Sequence, residues 1–366
     1  MVSLRSSSIM GKTTIYAFIS FFFFLFAFIT SSEGQSVPAM YVFGDSLVDV
    51  GNNNYIKDSI LKADYPYNGI DYPGGIPTGR FSNGKNAADF LAEKVGLPTS
   101  PPYLSNTSDV FLQGVSFASG GSGLFNSTGQ GFLMKTLSLA KQVDYYAAVH
   151  ERLVKQLGPD GAKLHLSKSL FLVVIGGNDA LAYFELGIDK IFKKVSPDEY
   201  VGQMVNILQG LLKQIYNLGG RKFVVAGLTS IGCCPGQRID SITEECKQDI
   251  NALAINYNQQ LTSMLAGLKL DFDDFNYSYF NSYTVLSDII QNAATYGTIL
   301  DLNHIELKND VTNFELKTKK VHDHAIRSIE IIKRTGSIDV VMDSNLSRIS
   351  HSASKRKKQL VVDSED

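Results

Sequence analysis

The stretch Met40-Tyr41-Val42-Phe43-Gly44-Asp45-Ser46-Leu47-Val48-Asp49-Val50-Gly51-Asn52-Asn53-Asn54 begins as an apolar run and breaks at a glycine followed by polar side chains. The run Met40 to Phe43 predicts a buried strand, and Gly44 lets the chain turn sharply at its end. A serine hydroxyl is a weak nucleophile until a base takes its proton and backbone amides receive the oxyanion. Ser46, just past the strand, is placed to meet the second demand.

Similar short runs stand at Val115 to Ala118, Leu170 to Ile175, Phe223 to Ala226 and, more weakly, Phe275 to Phe280. Between them lie segments with helical spacing: Ala88, Leu91, Ala92 and Val95; Met204 to Ile215; Leu253 to Leu265. Strands alternating with helices predict an α/β fold, a parallel sheet covered on both faces. The runs end in Ser119-Gly120-Gly121, Gly176-Gly177-Asn178-Asp179 and Gly227-Leu228-Thr229, and ligands of such sheets bind at the carboxyl ends of the strands. Any one of these turns, taken alone, is explained by the ordinary preference of turns for Gly, Asn and Asp.

The chain has 366 residues, of which 44% are apolar, enough for one large α/β domain or two smaller ones. Its 34 basic and 36 acidic side chains give a net charge of -2 and no electrostatic reason to expect nucleic acid as a partner. Lys12 precedes an apolar run from Ile15 to Ile29, with small and polar residues after it. That pattern predicts a secretory signal peptide over 1–34 and a secreted protein, and the run is shorter than the roughly 20 residues of a membrane anchor. Secretion makes the sequons at Asn106, Asn126, Asn276 and Asn345 candidate glycan sites on surface loops. The three cysteines, Cys233, Cys234 and Cys246, allow one local disulfide, and with no histidine near them in sequence they suggest no metal site. From Lys308 to Asp366 the chain is poor in large apolar residues, and 301–366 is expected to be a divergent tail, much of it mobile.

The segment from Phe43 to Asn54 resembles the first block of the plant GDSL esterase/lipases of the SGNH hydrolase superfamily along its whole length. The likeness continues through Gly69 to Gly75 and Thr78 to Lys85. Val115 to Gly123 is similar to the second block, with Ser116 where the family usually has Asn, and Val174 to Asp179 to the third. The resemblance implies a three-layer α/β/α sandwich of flavodoxin-like type over 35–300. It also implies an ester hydrolase acting on small-molecule or lipid acyl esters without metal or organic cofactor. Ser46 would be the nucleophile. The oxyanion would be held by the Ser46 amide, the Gly121 amide (with Gly120 the alternative) and the Asn178 side chain. The family would pair Cys233 with Cys246. A glycine-rich phosphate loop at Gly120 to Gly123 is the rival reading, but neither a Gly-x-Gly-x-x-Gly pattern nor a following Lys-Ser/Thr is there.

The resemblance is traced as far as Tyr296-Gly297, and the family's Asp-x-x-His-Pro-Thr block is not found after it. Among six histidines, only His304 has an aspartate three residues earlier, Asp301, a spacing that lets a carboxylate hold an imidazole in one tautomer. Ile305 follows where the family has Pro, so the domain is expected to be incomplete at its C-terminal end. His150 and His165 are expected on the surface of a helical region, and His322 and His324 on a charged, solvated face. The rival expectation is a catalytically silent or mis-spliced relative acting as a binding protein. The sequence does not indicate an oligomeric state.

Overall fold

The computed structural model describes residues 37–105, 111–131, 134–185, 195–238 and 245–292. The expected signal segment and the tail from 301 lie outside the described residues. In chain order the main elements are β1 (Met40–Gly44), α1 (Ala87–Lys94), α2 (Leu139–Lys168), β2 (Leu170–Val174), α3 (Gly177–Glu185) and α4 (Pro197–Asn217). They are followed by β3 (Lys222–Ala226), α5 (Gln248–Asp271), β4 (Asn276–Phe280) and α6 (Ser282–Gln291). The strands lie in the order β1-β2-β3-β4 and each neighbouring pair is parallel, with Phe43 beside Val173, Val173 beside Val225 and Val225 beside Tyr279.

Side chains alternate between the two faces of a strand, so a strand covered on both sides is apolar throughout. Tyr41, Phe43, Phe171, Val173, Phe223 and Val225 share one core with Tyr146 of α2, Leu208 and Leu212 of α4 and Leu261 of α5. Met40, Val42, Leu170, Leu172 and Val224 share a second core with Ala88, Leu91 and Ala92 of α1. The molecule is thus the expected α/β/α sandwich on a parallel sheet. The Tyr146 ring meets Phe43 and Phe171 edge-on, with centroids 5.7 and 5.5 Å apart, contacts worth about 1 kcal/mol each beyond the area they bury.

Helix starts follow local chemistry. Ser196 accepts from the amide of Glu199, and Pro197 opens α4, where a missing N–H costs nothing. At α1, Asn86 caps the amides of Ala88 and Asp89 while Asp89 accepts from the Asn86 amide. Asp89 also receives Arg80 in a two-pronged pair at 2.7 and 2.8 Å, both side chains being buried.

The structure departs from the sequence reading in several places. Val115 to Ala118 does not extend into a full strand. It runs beside β1, with Val42 donating to Val115 O and Phe117 donating to Val42 O, but only Ser116 forms ladder bridges. Its other flank meets Pro101 and Pro102, and prolines lack the amide that would carry a ladder on. All of α2, and α3 and α6, fall outside the three helical segments read from spacing, although a helical region was expected around His150 and His165; Gly158 (φ 73°) and Pro159 interrupt α2 and break the regular spacing of its apolar residues. Finally, Asn276 opens β4 and is not on a loop. Its side-chain amide donates to Asp274 O, whereas Asn126 is exposed in a turn. Asn106 and Asn345 lie outside the described residues.

Cys233 and Cys246 are bonded, tying the turn after β3 to the approach to α5. Cys234 is a free thiol whose pKa is raised by burial. Among the described residues no helix is long and apolar enough to cross a membrane, and no group of three or more His, Cys, Asp or Glu is placed to hold a metal ion.

Candidate active site

β1 ends at Gly44, which no other residue could replace without movement. A Cβ there would stand 2.3 Å from Val174 O and 2.6 Å from Val48 Cγ2. The chain then makes one tight turn, with the amides of Val48 and Asp49 donating to Asp45 O and the Leu47 amide to Asp45 Oδ1 at 3.0 Å. Ser46 is half-exposed on this turn. Among the described residues its amide and its hydroxyl make no hydrogen bond, so both are available to a ligand.

Two further segments converge on the same end of the sheet. Gly44 O accepts from the Ser119 amide at 3.0 Å, from Ser122 Oγ at 2.9 Å and from Gln142 Nε2 at 2.9 Å, while Gln142 Oε1 accepts from the Gly44 amide. The turn 119–122 is thereby fastened to the end of β1. Asn178, on the first turn of α3 after β2, donates its side-chain amide to Ser122 O at 2.8 Å. Ser46, Gly121 and Asn178 are therefore gathered at the carboxyl ends of β1 and β2 and of the segment beside β1. This is where a doubly wound sheet places its ligands.

Three buried carboxyl groups hold this arrangement. Asp49 accepts from the amides of Gly51 and Asn52 through Oδ1, and from the Gly120 amide at 2.9 Å through Oδ2. The Gly120 N–H is thus committed, whereas the Gly121 N–H has no partner among the described residues. Asp179 accepts from the amides of Leu124 and Phe125 and from Thr128 Oγ1 at 2.7 Å, fixing the loop that presents Ser122 O to Asn178. Asp45 faces Gly177, where a Cβ would stand 3.9 Å from its Oδ2. Burial pushes the Asp45 carboxyl up to about 7 and that of Asp49 up to about 6, and burial also raises Asp179.

Asp49, Asp179, Asn53, Ser119 and Gln142 position the site, and no role was read for them in the sequence. Four of the five lie in or next to the glycine-rich turns, so position beside a strand end was the available signal. Gln142 carried none, sitting in an unremarked stretch of α2. The expected acid-histidine pair, Asp301 and His304, lies outside the described residues. His165 is less exposed than expected: its ring is half-buried, with Nε2 3.4 Å from Tyr41 Oη, and burial lowers its pKa. Tyr41 stands three residues before Gly44, roughly 10 Å back along β1 from the turn. His150 lies two turns along α2 from Gln142, about 12 Å along the axis.

The family model for GDSL-like Lipase/Acylhydrolase matches residues 40–326. One GDSL esterase/lipase of Arabidopsis thaliana is 48% identical over 272 residues, covering 72% of this chain and 71% of that protein. Two others from the same plant are 34% and 39% identical over 279 residues each, covering 74% and 73% of this chain and 78% and 74% of theirs. The matched range runs past Gly297 and includes Asp301 and His304, so a chain whose C-terminal part has been replaced is not favoured.

Proposed function

The chain belongs to the GDSL-like lipase/acylhydrolase family, and from that premise we propose that it is a secreted ester hydrolase working through an acyl-enzyme on Ser46. Ser46 Oγ adds to the ester carbonyl carbon as a base takes its proton, and the carbonyl oxygen becomes an oxyanion. Collapse of this intermediate expels the alcohol, which takes a proton, and leaves the acyl group on Ser46; water then repeats the sequence and frees the acid. The oxyanion is received by the amides of Ser46 and Gly121 and by the Asn178 side chain, and His304 with Asp301 serves as the base and its orienting acid.

The observation that carries this reading is the convergence, at the carboxyl ends of β1 and β2, of two amides without a partner among the described residues and one side-chain amide. The commitment of the Gly120 amide to Asp49 favours Gly121 over Gly120 as donor. Asn178 uses one N–H on Ser122 O, which orients the amide and leaves the other N–H for the oxyanion. Donors fixed in advance cost no reorganisation when charge develops. Secretion is supported by the apolar run from Ile15 to Ile29 and its flanks.

The test is hydrolysis of p-nitrophenyl butyrate by the full chain expressed in a secretory host, beside Ser46→Ala and His304→Ala. Activity in the parent that both variants lose supports the assignment. Survival of activity in Ser46→Ala refutes the nucleophile, and survival in His304→Ala moves the search to another base. N-terminal sequencing of the product secreted into the medium reads the removal of the signal segment.

A further inference from the structure

Gly121 adopts φ +79°, and a Cβ built on it would stand 2.8 Å from Leu61 Cδ1 and 3.2 Å from Thr136 Cγ2. Two methyl groups from distant segments therefore press against the α-carbon next to the proposed oxyanion donor. We propose that Leu61 and Thr136 form an apolar wall that contacts the acyl chain of the substrate and sets the length the site accepts. This rests on the ester-hydrolase reading and deepens it by naming the residues that choose the acyl group.

The wall is held from behind. Thr136 Oγ1 accepts from Gln130 Nε2 at 2.9 Å, so its hydroxyl is engaged there while Cγ2 stands toward Gly121. Ser59 Oγ donates to Lys135 O at 2.8 Å and accepts from the Lys135 amide, which clasps the two wall segments together. Asn53 Nδ2 donates both to Leu61 O at 2.7 Å and to Gly120 O at 2.9 Å. One amide group thus fixes Leu61 relative to the very turn that carries Gly121. Asn53 is itself oriented by Ser119 Oγ, which donates to its Oδ1. A side chain locked by such supports keeps a constant distance to the reacting group, as specificity requires.

The chemistry decides which part of the ester meets this wall. The carbonyl carbon carries two groups, the acyl chain and the leaving oxygen, and the leaving oxygen must receive a proton as it departs. Leu61 Cδ1 and Thr136 Cγ2 offer no proton donor. The acyl chain, which exchanges no proton, is the group that fits there.

The experiment measures kcat/KM of the full chain for p-nitrophenyl acetate, butyrate and octanoate, with Leu61→Ala, Leu61→Phe and Thr136→Ser alongside. Removing the Leu61 branch is expected to raise the octanoate-to-acetate ratio about tenfold, the scale of discrimination by one or a few methylene groups, and Leu61→Phe to lower it. Thr136→Ser deletes the facing methyl but keeps the hydroxyl that accepts from Gln130, so the ratio should rise in a variant with little reason to misfold. An unchanged ratio in all three variants, with an active parent, overturns the wall. A second series of acetate esters varies the alcohol; a shift confined to that series overturns the acyl assignment. A parent that cleaves no ester overturns the ester-hydrolase reading and this inference with it, an outcome visible before any variant is compared.

Discussion

Replacing Asp45 by Asn should make the protein more stable at pH 8 and leave it unchanged at pH 4. The Asp45 side chain is 3% exposed, and its single hydrogen bond among the described residues is the one from the Leu47 amide. Burial raises its carboxyl from 3.8 to about 7, and the charges of Asp179 and Asp49 add to that rise. A shift of this size corresponds to about 4 kcal/mol between the two protonation states. Because the folded-state value lies above the unfolded one, this stability is fully present below the unfolded pKa and is lost as pH rises through about 7. Asn keeps Oδ1 as acceptor for Leu47 and removes the charge, so the variant escapes the loss. Allowing for relaxation around the ionised group, we expect Asp45→Asn to exceed the parent by about 2 to 4 kcal/mol at pH 8. The assay is urea unfolding of both proteins at intervals from pH 4 to pH 8. Parallel pH profiles, or a parent more stable at pH 8, would refute the claim that the carboxylate buried next to Ser46 is held by too few partners to offset its burial.

Asn178→Ala should lower kcat about 100-fold with a small effect on KM, as expected for a donor that acts on the developing oxyanion; steady-state hydrolysis of p-nitrophenyl butyrate reads it. Arg80→Met strands the Asp89 carboxylate in the interior, and thermal or urea unfolding should show a loss of about 3 to 5 kcal/mol. Cys233→Ser opens a bridge between residues 13 apart in sequence, which in the chain-entropy account costs about 3 kcal/mol, measurable by the same unfolding curves.

Much of the architecture was legible because it is written in local patterns. The apolar runs at Met40, Leu170 and Phe223 are buried on both faces, so they read as strands without reference to their neighbours. Glycine together with a polar residue at four strand ends marked these turns, and those around Ser46, Gly121 and Asn178 became the candidate site. The helix spacing of Met204 to Ile215 was equally plain, since α4 turns one broad apolar face to the sheet. Where the pattern failed, a contact across the fold had replaced it. Val115 to Ala118 looks like a strand, but the prolines beside it cannot extend the ladder. His165 reads as a surface residue, yet α2 packs it against Tyr41.

The sequence by itself determined which residues could act: a serine after a strand, a glycine-rich turn, an asparagine in the turn after another strand, and three cysteines close enough in sequence for one local bridge. Only the tertiary structure separated Gly120 from Gly121, because the difference is whether a buried carboxylate from another turn, Asp49, has claimed the amide. It alone brought Gln142 to Gly44, stood Leu61 and Thr136 against Gly121, and buried Asp45 close enough to Asp179 for that charge to add to the rise in its pKa. Burial and hydrogen-bond partnership depend on what the rest of the chain places around a group, and segments far apart in sequence become neighbours only when the sheet forms.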